Sequence, residues 1–212
     1  MATFFHRLTY LLSSLPLFWI AWQLFQVWTR PAVLPDAASW VRFGVGLMIL
    51  EFVLLHSGVM GIFVFTAAET WWKRVLAGLG IVLFYGAFAW GLSMGTDSRQ
   101  ILSIYGFVLL GRAVTVLVDG AKGAAAIMGR SLLGTLVYLP MVFASVLLPW
   151  PRFGLVGEFA AAARSPNTSG IWVDEPHRAI GAGMLYFLCM AALEIWLAFQ
   201  DPEKNGKSGH RQ

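Results

Sequence analysis

Five ionisable residues stand inside long apolar stretches of the sequence, where side chains that can hold a charge are uncommon. If these stretches cross a membrane, a charged side chain near the bilayer centre costs at least ~2.5 kcal/mol, so it is normally paired or lines a wet cavity. Residues of this kind carry protons, bind substrates or hold helices together. The candidates for an intramembrane polar site are Glu51, His56, Arg112, Asp119 and Glu194.

The spacing of these residues decides which of them can act together. Glu51 and His56 are five positions apart, which is about 140° around a helix, so they face different neighbours and do not form one metal site. Arg112 and Asp119 are seven positions apart and share a helix face. Asp119 comes at the inner edge of its stretch, where a simple interfacial position is the alternative to a functional role.

Depth below the outer membrane edge predicts two acid–base pairs. At a rise of ~1.5 Å per residue, Glu51 and Arg112 lie about 15 and 18 Å deep, and His56 and Glu194 both lie about 22 Å deep. The first pair is either a structural ion pair or a proton or substrate site. In the second, His56 is either a ligand or a hydrogen-bonded helix contact, and its proton equilibrium lies near neutrality. Glu194 is near enough to the interface to extend towards it.

A second cluster of ionisable residues precedes the last apolar stretch, outside the predicted membrane. It could bind a cation or a substrate at the entrance of that span. The alternative is structural, because acids favour the positive N-terminal end of a helix and Pro176 suits a first helical turn. The candidate entrance residues are Asp174, Glu175, His177 and Arg178.

Neither a metal nor a cofactor is predicted. The sequence has no Cys/His cluster with ligand spacing, and His56 and Glu194 are the only weak metal candidates. A bis-histidine haem needs two histidines at one depth, whereas His6, His177 and His210 lie near or beyond the membrane edges. Catalysis usually needs more converging polar groups than this chain supplies, so a role other than that of an enzyme is favoured.

The elements that must position these residues follow from composition. Apolar residues make up 58% of the 212 residues and charged residues 12%, against about 25% charged in soluble domains. So few charges cannot cover a water-soluble fold of this size, but helices in lipid need no polar exterior. The basic residues behind the net charge of +4 are scattered between apolar stretches. That pattern is typical of topology signals and excludes a nucleic-acid partner.

Six stretches are long enough to cross a ~30 Å hydrocarbon layer as helices. The sequence therefore predicts an all-α membrane protein, a bundle of about six transmembrane helices within residues 1–200. Residues 150–178 are predicted to form an extracytoplasmic loop and residues 201–212 a disordered cytoplasmic tail. The predicted spans are 9–28, 41–67, 75–95, 100–119, 131–149 and 179–199.

The distribution of lysine and arginine predicts the orientation. One side collects eight of these residues, including all four lysines, and the other collects six, with Arg112 counted as intramembrane. Since the more basic side faces the cytoplasm, both termini are predicted to be cytoplasmic.

Pairs of closely spaced glycines predict sites of close helix contact, because two backbones can approach where side chains are missing. Such pairs also occur by chance. They are Gly58 and Gly61, Gly78 and Gly80, Gly91 and Gly95, and Gly181 and Gly183.

Short motifs in the second and last spans suggest a family. They are Glu51-x4-His56-Ser57-Gly58, Gly170-Ile171-Trp172, Pro176-His177-Arg178-Ala179 and Tyr186-Phe187. Together they resemble a family of small, uncharacterised prokaryotic multi-pass membrane proteins, catalogued as a domain of unknown function. The resemblance covers nearly the whole chain. It implies a helical domain in a bacterial or archaeal cytoplasmic membrane and no activity that can be carried over.

Three classes of function remain open. The first is a permease or channel for a small solute, with proton coupling as one form of it, in which Glu51, His56, Arg112 and Glu194 line a polar interior. The second is an accessory or structural subunit of a membrane complex, with other membrane proteins or further copies of the chain as partners beside the lipid bilayer. The third is a membrane-embedded enzyme that uses His56 and a carboxylate. A water-filled cavity at Glu51 would favour the first.

Overall fold

The computed structural model of the chain describes residues 2–67, 70–164 and 169–200. All regular structure in these ranges is helical, which confirms the predicted all-α class. The predicted tail at 201–212 lies outside the described residues. The helices are α1 (Ala2–Thr29), α2 (Ala37–Ala67), α3 (Trp71–Gly95), α4 (Gln100–Leu147), α5 (Gly157–Ala161), α6 (Ile171–Asp174) and α7 (Pro176–Ala198).

Among the described residues, five helices are long and apolar enough to cross a membrane. These five are α1, α2, α3, α4 and α7. The predicted fourth span and all but the last two residues of the predicted fifth span fall within α4, which is 48 residues long. A straight helix of that length would measure about 72 Å, more than twice a hydrocarbon layer of ~30 Å.

Gly120 interrupts α4 and divides it into two arms. Its backbone has φ 55° and ψ −130°, a conformation with positive φ that glycine adopts without strain. We call residues 100–119 the first arm and residues 121–147 the second arm. At the interruption the backbone folds tightly, because a Cβ placed on Gly123 would lie 2.5 Å from the carbonyl oxygen of Thr115.

The first arm runs in the same direction as α2. Near its start, Ile101 Cδ1 lies 3.2 Å from where a Cβ would stand on Gly46. Further along, Arg112 Nη2 lies 3.2 Å from the same position on Gly58. Contacts that advance together along both helices show that the two are parallel.

The second arm runs back along α2 in the opposite direction. Ser131 Oγ contacts the Cα region of Gly58, and Tyr138, further along the arm, donates a hydrogen bond to the earlier carbonyl of Met48 at 2.6 Å. Gly58 therefore lies against both arms. The chain reverses at Gly120, and the second arm begins about ten residues earlier than the predicted fifth span.

The core lies where α1, α2 and α7 meet. Glycines on α2 and α7 bring these helices together: a Cβ on Gly183 would lie 2.8 Å from Met48 Sδ, and one on Gly44 would lie 3.1 Å from Leu24 Cδ2. The most buried of the five long helices is α2, whereas α3 and α4 are the least buried. Their exposed residues are largely apolar, as expected of surfaces that face lipid.

Candidate functional site

Glu51 is held by a tyrosine from the last helix. Tyr186 on α7 donates a hydrogen bond from its hydroxyl to Glu51 Oε1 at 2.6 Å. The Tyr186 ring packs edge-on against Tyr138 of the second arm, with ring centroids 5.5 Å apart. Because Tyr138 is itself bonded to the α2 backbone at Met48, the carboxyl of Glu51 is fixed between three helices.

Arg112 also binds a hydroxyl, and not the carboxylate that depth alone predicts. Its Nη1 donates to Ser57 Oγ at 3.0 Å, and Ser57 in turn donates to the carbonyl of Leu54 at 2.9 Å. No ion pair joins Arg112 to Glu51 among the described residues. The two groups attract each other only across a gap, so the predicted Glu51–Arg112 ion pair is wrong as a direct contact.

Beside Arg112 the structure has a cavity of about 480 Å³, bounded by α2, α3 and both arms of α4. We call this cavity the Arg112 cleft. Its polar lining comes from Ser57, Arg74, Tyr105 and Arg112, and no acidic residue lines it in the part of the chain that the structure describes. The volume lies within the range of small-molecule sites, roughly 300–1,000 Å³.

The guanidinium of Arg112 keeps donors free for this space. Its Nη1 has the Ser57 bond, while Nε and Nη2 have no hydrogen-bond partner among the described residues. The only fully buried side-chain nitrogen or oxygen without a partner in that part of the chain is Arg42 Nε. The open donors of Arg112 are thus accessible from the cleft, where an anion or water can accept from them.

His56 lies outside this cluster and is not paired with Glu194. The Tyr85 hydroxyl and His56 Nδ1 are 2.6 Å apart, and the imidazole stacks on Phe52 with a centroid distance of 5.7 Å. His56 is exposed on the surface of the bundle. The hydrogen-bonded helix contact, α2 to α3, is the interpretation that agrees with this geometry.

Glu194 has a different base as its partner. Arg130 Nη2 lies 3.2 Å from Glu194 Oε2, and Ser13 Oγ donates to the same oxygen at 2.9 Å. The guanidinium of Arg130 also lies 5.3 Å from the ring centroid of Tyr10. The predicted His56–Glu194 pair therefore does not form. Depth was the same for both residues, but the reversal of α4 places Arg130 on the side of the bundle that Glu194 faces.

Asp119 lies at the reversal, directly before Gly120. Its side chain is exposed, and a Cβ on Gly123 would lie 3.0 Å from Asp119 Cβ. The described contacts give its carboxylate no hydrogen bond or ion pair. The interfacial interpretation of Asp119 agrees with this position.

The outer cluster caps the C-terminal end of α4, and not the N-terminal end of the last helix as expected. Arg178 Nη1 donates to three carbonyl oxygens at the end of α4, each at 3.1 Å: those of Ser145, Val146 and Leu148. Its Nε contacts Glu175, which has no side-chain capping bond at the start of α7. Arg178 thereby neutralises the negative C-terminal end of the second arm.

The rest of the outer cluster is consistent with this structural role. The hydrogen bond from Arg178 holds the pKa of Glu175 below its usual value. Asp174 stands 4.0 Å from Arg164 in an exposed ion pair, and His177 is buried. These contacts favour the structural interpretation, and the binding of a cation or a substrate at this entrance stays a prediction.

Sequence reasoning missed the hydroxyl and arginine partners. Ser57 and Tyr186 belong to motifs that suggested a family, but polar hydroxyls are too common in membrane helices to single out. Arg130 was counted only as a topology signal. In the described residues no group of three or more His, Cys, Asp or Glu side chains could hold a metal.

The arrangement can bind an anion at Arg112 and hold a proton at Glu51, with Ser57 and Tyr186 as their neutral partners. Comparison of the chain with protein-family models, with curated proteins and with solved structures returns no match. The resemblance to a prokaryotic multi-pass family therefore stays a prediction.

Proposed function

We propose that the chain is a six-span integral membrane protein that works as a permease for a small anionic solute, bound at Arg112. In this proposal the two arms of α4 cross the membrane separately, with Gly120 at the cytoplasmic side. Support comes from the opposite directions of the arms along α2 and from the apolar surfaces of α3 and α4.

One observation supports an anionic solute: Arg112 lines a cavity and has a hydroxyl partner but no carboxylate partner among the described residues. A guanidinium inside a membrane normally has a counter-charge. Here Glu51, which attracts Arg112 across a gap, is engaged by Tyr186. An anion in the cleft would supply the missing charge and accept from the open donors, since the planar guanidinium suits carboxylate and phosphate oxygens.

The same geometry supports proton coupling through Glu51. An anion on Arg112 cancels the positive charge that attracts the ionised form of Glu51, so anion binding favours proton binding. By linkage, a proton on Glu51 favours the anion to the same extent. The anion and the proton on Glu51 would then together add no net charge, which suits passage through a low-dielectric interior.

Binding tests the first part of the proposal. The protein in nanodiscs of zwitterionic lipid is titrated with acetate, phosphate and sulfate while thermal unfolding is followed. A ligand at about 100 times its Kd stabilises the folded state by ~2.7 kcal/mol. We expect stabilisation by at least one of these anions, lost in Arg112→Gln and partly kept in Arg112→Lys.

The matched control is Arg99→Gln, because Arg99 is exposed at the start of the same helix and does not line the cleft. It should respond as the unaltered protein does. Stabilisation by none of the three anions, or an unchanged response of Arg112→Gln, would refute anion binding at Arg112.

Transport tests the second part. In proteoliposomes with an internal pH-sensitive dye, an inward gradient of the stabilising anion should acidify the lumen. Glu51→Gln should abolish the acidification while the anion still stabilises the variant. Acidification that survives in Glu51→Gln would remove Glu51 from the coupling step.

A further inference from the structure

The lining of the Arg112 cleft is divided between charge and hydrocarbon. Two arginines supply positive charge, and no acidic residue is found among the described lining residues. Most of the remaining wall is aliphatic and comes from three helices, as Ile62, Ile81, Val82, Leu109 and Val116 show. A small anion bound at Arg112 would leave this apolar wall unoccupied, because the wall offers it no hydrogen bonds.

Glycines keep the apolar part of the cleft open. Gly61 on α2, Gly78 on α3 and Gly106 on the first arm line it, and a Cβ on any of the three would meet nothing within 4 Å. This open space lies beside the aliphatic wall, where an alkyl chain can pack. The glycines do not point to a ligand by themselves, but together with Arg112 they give the cleft one charged and one hydrocarbon part.

The positive charges are placed along the cleft. Arg74 is the fourth residue of α3 and Arg112 the thirteenth of α4. In the proposed topology α3 begins at the cytoplasmic side, so Arg74 stands near that membrane edge and Arg112 lies deeper. A negatively charged head group that enters from the inner leaflet passes Arg74 first and reaches Arg112 deeper in the cleft.

We propose that the solute of the Arg112 cleft is an anionic amphiphile with one alkyl chain, a long-chain carboxylate or an alkyl phosphate. This inference rests on the proposed function and specifies its substrate class. The head group binds Arg112 and Ser57, and the chain lies against the aliphatic wall. The cavity of about 480 Å³ lies within the roughly 300–1,000 Å³ of small-molecule sites, which is enough for one alkyl chain with its head group.

The test compares probes that differ in one part each. Dodecanoate has both head group and chain, acetate lacks the chain, and dodecanol lacks the charge. Radiolabelled probes are equilibrated with loaded and empty nanodiscs of zwitterionic lipid, and binding above the empty discs is measured. We expect saturable binding of about one dodecanoate per chain, at least tenfold tighter than acetate, and no saturable binding of dodecanol.

Two pairs of variants separate the head-group and chain contacts. Arg112→Gln should weaken dodecanoate at least tenfold, and Arg112→Lys should weaken it less. Gly78→Leu fills the open space and should weaken dodecanoate at least tenfold without changing acetate. Gly80→Leu is its matched control, because Gly80 is on the same helix with nothing within 4 Å of its Cβ position and does not line the cleft.

Each remaining outcome decides between this inference and the proposed function. If acetate or phosphate binds through Arg112 and dodecanoate binds no more tightly, the inference of an amphiphilic solute is wrong. The proposed permease for small anions is then unaffected. If dodecanol binds as tightly as dodecanoate, the requirement for an anionic head group is wrong. If no probe binds above empty discs, both the amphiphile and the anion site are wrong.

Discussion

The two sides of α2 differ in how tightly they are packed and in whether their charged groups are paired. Towards α1 and α7, glycines bring helices into contact and the interior is filled. On the side towards α3 and the first arm of α4 a cavity remains, and three of the glycines that line it, Gly61, Gly78 and Gly106, have nothing within 4 Å of their Cβ positions. Glu194 belongs to the side with paired charges, where Arg130 supplies its counter-charge. Arg112 belongs to the open side and has only a hydroxyl.

This difference indicates which polar groups stabilise the bundle and which remain for a ligand. A buried carboxylate with both a hydroxyl donor and an arginine has its hydrogen-bonding needs met. A guanidinium with open donors in a cavity does not. We therefore expect substitutions on the packed side to change stability and those at the cleft to change binding.

The largest effect on stability should come from filling a glycine of the packed side. In Gly181→Leu, a Cβ would already lie 2.7 Å from a ring carbon of Trp150 and 3.0 Å from one of Trp28. Overpacking against rigid rings costs about 1–3 kcal/mol or more. Thermal unfolding in a mild detergent measures it, and Gly80→Leu should lose almost nothing. Equal losses in the two variants would end the distinction between the two sides.

A smaller effect is expected at the carboxyl of Glu51. Tyr186→Phe removes its only described donor and leaves the Glu51 carboxyl oxygen without a hydrogen-bond partner, which costs about 1–3 kcal/mol. Tyr138→Phe removes a bond to a neutral carbonyl, worth about 1 kcal/mol. Denaturation of both variants in the same detergent should rank Tyr186→Phe as the less stable. The reverse order would mean that Glu51 gains little from Tyr186.

The Glu194–Arg130 contact should contribute less again. The arginine side chain is 51% exposed and the glutamate side chain 9%, so solvent screens the pair and Arg130→Gln should cost about 1 kcal/mol. A double-mutant cycle with Glu194→Gln measures the coupling between them. If the coupling is zero, Glu194 is stabilised by Ser13 alone.

The smallest effect depends on pH and concerns the exposed outer cluster. Because the pKa of Glu175 is lowered in the folded protein, its contribution is present above the ordinary glutamate pKa and is lost as pH falls through the lowered value. Exposure limits it to less than about 1 kcal/mol. Unfolding of Glu175→Gln, compared between pH 6 and pH 3, should show a weaker acid dependence than the unaltered chain. An identical pH dependence of the two proteins would show that the contact between Glu175 and Arg178 does not stabilise the fold.

Much of the fold is predictable because composition and stretch length are sufficient to identify apolar helices. The predicted fourth span ends at residue 119, directly before the reversal at Gly120, although the helix resumes at once through an alanine-rich segment. Contacts predicted for Gly58, Gly181 and Gly183 are confirmed, whereas four other glycines have nothing within 4 Å and the contacts predicted for them are wrong: Gly61, Gly78, Gly80 and Gly91. Spacing of glycines shows where helices can approach but not which side has a neighbour.

The site was only half predictable. Scarcity of charge in apolar stretches identified Glu51, Arg112 and Glu194, but not their partners. The depth of a residue along a helix does not determine how the helix is rotated about its axis. That rotation sets which neighbour a side chain faces, and for His56 the neighbour is Tyr85. For a related reason the sequence did not show that Arg178 reaches the end of a helix distant in sequence.

The most direct test of the open guanidinium is an experimental structure of the protein in lipid, soaked with bromide, whose anomalous signal locates bound anions. We expect a bromide within about 4 Å of Arg112 in the cleft, with Glu51 still bonded to Tyr186 and no bromide between Arg130 and Glu194. A direct Arg112–Glu51 ion pair, with the cleft closed and no bromide beside Arg112, would contradict it.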